Sequence, residues 1–262
     1  MKQTVKRPYI LVTNDDGIDA KGICKLIEFL RPVGDLVVFA PVSSRSGASS
    51  AITTATGVKI QLLSEEEGLT RYSCDGTPVD CVKVAMNSVL SRRPDIIISG
   101  INHGHNAAIS VIYSGTMGAA AEGAVFNIPS VGFSLDDYSP DADFECARKV
   151  VAFVCEKILE EPFPPGTYLN VNIPSVATVK GIMPCSQAKG RWENEFREEM
   201  NDAGEKCFFF SGEFIPTESQ LPTNDVAWLK KGYATVVPCK IDVTDYSMLS
   251  KMTSMETSSL NE

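Results

Sequence analysis

Along the first two thirds of the chain, short continuous apolar runs alternate with segments whose apolar residues recur at helical spacing. Residues 9–13 and 36–40 are runs of the first kind and read as buried strands. Between them Ile23, Leu26, Ile27 and Leu30 mark one face of a helix over 21–30. Two strand-like runs, 58–63 and 70–74, predict a hairpin across the acidic turn 64–68. Thr77-Pro78 then offers a hydroxyl cap followed by proline in the first turn, which opens a helix over 79–90. Residues 95–99 are the cleanest strand, and a glycine- and asparagine-rich loop is expected from 100 to 115. A compact helix over 116–126, a strand over 130–134, a long helix over 142–159 and a strand over 168–173 complete the series. Strands fed by helices predict an α/β fold: a mostly parallel sheet with helices on both faces.

Past about residue 185 the pattern changes. Residues 187–204 are polar and charged, with Trp192 and Phe196 embedded. Residues 207–214 and 233–238 are strand-like, and 224–231 suit a helical turn. The expected division is a core over 1–185, a β-rich arm over 186–245 and a tail over 246–262. That tail is rich in Ser, Thr and Met and reads as mobile.

Composition narrows the function classes. The 262 residues are 44% hydrophobic and 22% charged, enough for a real core. A net charge of −9 argues against binding a nucleic-acid polymer. No apolar run reaches the ~18 residues that a membrane span needs, so no membrane partner is expected. Residues 1–8 lack the apolar stretch of a signal peptide. The eight cysteines are scattered without a Cys-x-x-Cys, which speaks against a zinc cluster and for a reducing cytoplasm.

The chemistry gathers in loops that leave the carboxyl ends of predicted strands, the edge where open α/β sheets bind ligands. The first carries Asn14-Asp15-Asp16-Gly17. Two adjacent carboxylates at the end of a buried strand are costly unless something neutralises them. Oxygen donors suit Mg²⁺, Mn²⁺ or Ca²⁺, although the same four residues also have good turn chemistry. The second loop holds Arg45, Ser46, Gly47 and Ser49. The third runs through Asn102, His103, Gly104, His105 and Asn106. Two carboxylates with a hydroxyl and a carboxamide make a hard, all-oxygen set. Ser114-Gly115-Thr116 then opens a helix whose N-terminus suits phosphate oxygens, and Arg45 is a cation within reach of the same loops. His103 and His105, the only histidines, read either as a proton donor or metal ligand or as residues of the loop rim.

Five segments in order carry a family resemblance. They are Asn14-Asp15-Asp16-Gly17, Arg45-Ser46-Gly47-Ala48-Ser49, Asp75-Gly76-Thr77-Pro78 with Asp80-Cys81, Ser99-Gly100-Ile101-Asn102 with Gly104 and Asn106, and Tyr113-Ser114-Gly115-Thr116 through Ala120, Ala121 and Gly123. Together they resemble the survival protein SurE family of metal-dependent nucleotidases. The match covers about residues 8–185 and continues more loosely to about 240. The resemblance implies a Rossmann-like three-layer core and a phosphatase acting on nucleoside monophosphates, with Mg or Mn as cofactor and Ca as a third candidate. By motif position it implies Asp15, Asp16, Ser46 and Asn102 as metal ligands, with Asp15, Asp16 and Asn102 at the catalytic centre. Ser114, Gly115 and Thr116 match its phosphate-binding loop; Asn14, Arg45 and Asn106 are candidate substrate contacts. It also implies a homodimer or homotetramer that uses the C-terminal arm. Val42 departs from the family, which usually has an acidic residue there, and the stretch 107–110 makes the third loop individual.

The leading expectation is metal-assisted hydrolysis of nucleoside monophosphates at the 5′ and/or 3′ position. Its rivals are a nucleotide- or phosphate-sensing module without turnover and a purely structural α/β scaffold.

Overall fold

The computed structural model describes residues 7–217 and 223–255. The first residues of the basic N-terminus and the last seven of the expected tail lie outside the described residues. Strand β1 (Tyr9–Thr13), helix α1 (Lys21–Leu30) and strand β2 (Asp35–Pro41) form where the apolar runs predict them. Strands β3 (Ile60–Glu66) and β4 (Leu69–Cys74) make the hairpin, and α2 (Pro78–Val84) follows. Then come β5 (Ile96–His103), α3 (Gly115–Val125), β6 (Ser130–Asp136), α4 (Arg148–Glu160) and β7 (Thr167–Pro174).

These strands build one mixed sheet with layers of helix on either side. On β1, Ile10 and Val12 face α1 and α4, while Leu11 faces the layer of α2 and α3. The helix α1 buries Ile23, Leu26, Ile27 and Leu30, the stripe read from its spacing. The α2 start is a reciprocal cap: Asp80 N–H donates to Thr77 Oγ1 at 3.1 Å and Thr77 N–H donates to Asp80 Oδ2 at 2.9 Å.

Strand order places the site. From β1 the chain steps through β2 to β4 in one direction; β5, β6 and β7 then stack on the other side of β1, all parallel. The reversal falls between β1 and β5, and the carboxyl ends of those two strands flank the crevice where open sheets bind ligands.

Three elements differ from expectation. The strand expected to stop at Ser99 continues to His103, with a register shift against β6 between Ser99 and Asn102. Gly100 allows it: its φ is +128°, and a Cβ there would sit 2.4 Å from the Phe133 carbonyl oxygen. In the hairpin, Ser64 to Glu66 extend β3, so the turn shrinks to Glu67-Gly68. The helix expected over 79–90 widens into a π turn at Ala85–Val89 and stops.

The C-terminal third divides between sheet and arm. Short β8 (Ile182–Pro184) precedes two two-stranded ribbons built from β9 (Gly190–Glu193), β10 (Phe196–Met200), β11 (Lys206–Phe210) and β12 (Glu213–Pro216). Gly212, at φ +106°, separates β11 from β12 within a stretch that reads as one strand. After α5 (Asp225–Lys230), strand β13 (Ala234–Lys240) returns to the main sheet, antiparallel to β7 and parallel to β8. The sheet order is therefore β3-β4-β2-β1-β5-β6-β7-β13-β8. A single helical turn, α6 (Tyr246–Leu249), lies in the segment expected to be a tail.

Leu26 is fully buried between α1 and the sheet. Leu26→Ala should cost about 2–5 kcal/mol in urea unfolding. A loss below about 1 kcal/mol would mean that α1 is not docked through this face.

Candidate functional site

The first loop brings two carboxylates to the crevice. Asn14 Nδ2 donates to the Gly17 carbonyl at 2.8 Å and closes the turn, while Asn14 Oδ1 is buried without a hydrogen-bond partner. Asp15 is 3% exposed, and its Oδ1 accepts from Thr116 Oγ1 at 2.6 Å. Asp16 is half-buried, and its Oδ2 accepts from the His103 N–H at 3.2 Å. Among the described residues no basic side chain forms an ion pair with either. Burial pushes Asp15 up to about 6; the Thr116 hydroxyl opposes the rise and the Asp16 charge adds to it. Burial likewise raises Asp16, opposed by the His103 N–H and the His103 ring.

The start of α3 is pressed against this pair. A Cβ on Gly115 would lie 2.8 Å from Asp15 Cβ and 3.0 Å from its Oδ2, so only glycine fits without displacement. Ser114 is the N-cap, its Oγ accepting from the Met117 N–H at 3.1 Å. The first turn of a helix carries about half a positive charge. Here it meets a buried carboxylate, and Thr116 joins the two.

The second loop crosses nearby. The Arg45 N–H donates to the Asp15 carbonyl at 2.6 Å. Ser49 ties the loop to the segment before α3, through its N–H to the Tyr113 carbonyl at 3.2 Å and its Oγ to the Ile112 carbonyl at 2.6 Å. Ser46 is exposed, and its hydroxyl lies 2.9 Å from that of Ser44. The Arg45 guanidinium donates to the Asp75 carbonyl at 2.8 Å. The backbone of this loop thus reaches Asp15, while the side chains of Ser46 and Arg45 engage their own neighbours.

In the third loop both amide hydrogens of Asn102 go to backbone carbonyls, those of His103 and Gly104, each at 2.8 Å. The carboxamide is fixed by its NH₂ group, which leaves the lone pairs of its oxygen to accept a hydrogen bond or bind a cation. Asn106 is built into a buried network. Its N–H donates to Asn172 Oδ1 at 2.7 Å, its Nδ2 to Ser134 Oγ at 2.8 Å, and its carbonyl accepts from Asn170 Nδ2 at 2.8 Å. The His103 ring packs edge-on to Phe144, and His105 packs edge-on to Tyr138 while its Nδ1 accepts from the Ala107 N–H at 3.2 Å. Neither ring hydrogen-bonds Asp15 or Asp16.

The structure therefore joins Asp15, Asp16, Gly115 and Thr116 directly, with Ser114 and Asn102 on the adjoining backbone. Sequence reasoning missed Ser134, Asn170 and Asn172, and gave Ser49 a place in the second loop but no tie to the segment before α3. The signal for Asn170 and Asn172 was present as Asn-x-Asn inside an apolar strand, where a buried carboxamide must have partners.

The donors suit a hard dication. Among the described residues no group of three or more His, Cys, Asp or Glu is placed to hold a metal, so a soft or imidazole-rich site is not built here. What is built is a pair of largely buried carboxylates that no described basic side chain neutralises, with Asn14 on their own loop, Asn102 on the third, and Asn14 Oδ1 buried without a partner. That chemistry fits Mg²⁺, Mn²⁺ or Ca²⁺.

The chain is similar to known proteins over most of its length. The family described as Survival protein SurE matches residues 10–194. A protein of Bacteroides fragilis named 5′-nucleotidase SurE is 46% identical over 251 residues, covering 96% of this chain and 98% of its own. One of the same name from Bacteroides thetaiotaomicron is 47% identical over 247 residues, covering 94% and 95%. The crystal structure of the SurE protein from Aquifex aeolicus superposes with a TM-score of 0.82 at 32% identity, covering 95% of this chain and 100% of that one.

The raised Asp15 has a consequence for stability. The folded chain holds the Asp15 proton more tightly than the unfolded chain, so without metal this residue destabilises increasingly as pH rises from about 4 through about 6. Measured in EDTA, Asp15→Asn should gain on the parent by about 3 kcal/mol between pH 4 and 8. A difference that stays flat with pH would contradict the burial of this carboxylate.

Proposed function

The chain belongs to the SurE family, and from that membership we propose that it is a divalent-metal-dependent phosphatase of nucleoside monophosphates, cutting at the 5′ and/or 3′ position. It is a phosphoric monoester hydrolase of the 5′-nucleotidase class. One observation carries the reading: Thr116 Oγ1 donates at 2.6 Å to the buried Asp15 carboxylate. A phosphate-binding helix start is thereby joined to a cation-binding carboxylate pair at the switch point of the sheet.

Asp15, Asp16, Ser46 and Asn102 are the residues that would hold Mg²⁺ or Mn²⁺, with Ca²⁺ as a weaker candidate for catalysis. Ser46 belongs to this set through its loop, whose backbone already bonds Asp15. A divalent ion bound there supplies positive charge to the phosphoryl oxygens and lowers the pKa of the attacking water. Ser114, Gly115 and Thr116 hold phosphate oxygens at the positive end of α3 and offset the charge that develops on them. Asn14, next in sequence to Asp15, has a buried carboxamide oxygen without a partner and is a candidate substrate contact. Asn106, another candidate substrate contact, is held by residues of β6 and β7, and Arg45 would reach substrate by exchanging its bond to the Asp75 carbonyl.

Self-association through the arm, as a homodimer or homotetramer, is supported by its exposed apolar side chains. Phe196, Met200, Phe208 and Phe210 all face solvent in the single chain. A cytoplasmic location is supported by eight unpaired cysteines. Among the described residues no helix is long and apolar enough to cross a membrane.

Purified protein should release phosphate from AMP or GMP with added Mg²⁺ or Mn²⁺ and fall silent in EDTA; turnover that survives EDTA would remove the metal from the scheme. Asp16→Asn should lose at least about 100-fold in kcat/KM while keeping its circular dichroism spectrum. Nucleotide binding without product over hours would identify a sensor instead. Light scattering should give two or four chains per particle, and a monomer at micromolar concentration would refute the arm's role.

A further inference from the structure

Asp225 lies outside the crevice, at the start of α5, and is fully buried at 0% exposure. No described basic side chain forms an ion pair with it. An uncompensated buried carboxylate is costly unless N–H groups surround it. Three do, from three segments. The Ala108 N–H donates to Asp225 Oδ2 at 2.8 Å; the Ala188 and Val226 N–H groups each donate to Oδ1 at 2.8 Å. The Asp225 N–H in turn donates to the Ser186 carbonyl at 2.9 Å. Its negative charge adds to burial in raising the thiols of Cys185 and Cys239.

The two outer donors sit at informative places. Ala188 is at the root of the arm, two residues before β9. Ala108 stands in the stretch that joins Asn102 to Ser114, at a left-handed φ of +52° that a side chain seldom adopts unaided. That stretch is anchored at Asn106 by the asparagine network and at Ile112 and Tyr113 by Ser49. Between those anchors, among the described residues, its hydrogen bond to the C-terminal third is the one from Ala108 to Asp225.

We propose that Asp225 is a positioning residue for the phosphatase reaction: one carboxylate fastens the crevice loop 105–113 to the root of the C-terminal arm, so that loop and arm are held as a unit. The kinetic consequence rests on the nucleotidase reading; the fastening itself does not. Asp225 touches no substrate. It sets where Asn106 and the approach to Ser114 lie, so its loss weakens substrate capture more than the metal site, which Asp15 and Asp16 build on the other flank.

The test uses the full chain. In the parent protein, amide hydrogen exchange should give Ala108 and Ala188 a common protection, because both open when the same carboxylate lets go. In Asp225→Asn one oxygen becomes an NH₂ that confronts an N–H. Both amides should then exchange about tenfold faster or more, with the amides of β1 and β5 unchanged. KM for AMP should rise about tenfold with a smaller change in kcat, while the thermal shift produced by Mg²⁺ stays the same. Ala108 exchanging at open-loop rates in the parent, or an unaltered KM in a folded Asp225→Asn, would overturn the proposal. Should that variant fail to fold, the paired exchange in the parent decides. A parent that binds but never cleaves AMP would refute the nucleotidase reading and leave the exchange result to stand alone.

Discussion

The constraint on which this structure turns is the desolvation of two neighbouring carboxylates at the end of the central strand. Asp15 and Asp16 follow β1 after Asn14; β1 is buried on both faces, and no basic side chain among the described residues is paired with them. Their neighbours are instead oriented donors: the Thr116 hydroxyl on Asp15 and the His103 N–H on Asp16. Those bonds fix the carboxylates without cancelling their charge, and the raised Asp15 pKa records the remaining cost. On the proposed reading a dication would cancel that cost, and a phosphate ester would meet an ion and a helix N-terminus on one flank of the sheet. The topology makes this possible, because the strand order reverses at β1 and β5 and leaves room above their carboxyl ends.

Much of this was legible in the sequence, for definite reasons. Buried parallel strands must be apolar throughout, so Ile10 to Val12 and Ile96 to Ile98 declare themselves. Thr77-Pro78 declares a helix start because cap and fixed φ act locally. The site residues could be grouped before any fold was known, since loops after parallel strands share an edge. What stayed hidden depends on contacts distant in sequence. Gly100 to His103 read as loop because Gly and Asn are poor strand residues, yet pairing with β6 holds them as strand. Arg45 read as a free cation near the crevice, whereas its guanidinium is held by the carbonyl of Asp75, thirty residues on. Asp225 gave no local sign at all; its donors come from Ala108 and Ala188, residues without side-chain polarity.

The C-terminal third joins the crevice to the periphery. Strand β13 extends the central sheet beyond β7, and the ribbons between β9 and β12 carry an aromatic surface outward. Asp225 stands where these parts meet the third loop. A chain that self-associates through its arm would therefore stiffen the loop that leads to the start of α3, since the two share a buried carboxylate. Loop and arm are separated by about eighty residues of sequence but by a single hydrogen-bonded group in space.

The most direct measurement is anomalous diffraction from crystals soaked in Mn²⁺. One strong peak is expected, bounded by Asp15, Asp16 and Asn102, with carboxylate oxygens at roughly the 2.0–2.3 Å typical of a hard dication. Saturating Mn²⁺ with no density there, or an ion bound elsewhere while both carboxylates stay bare, would contradict it.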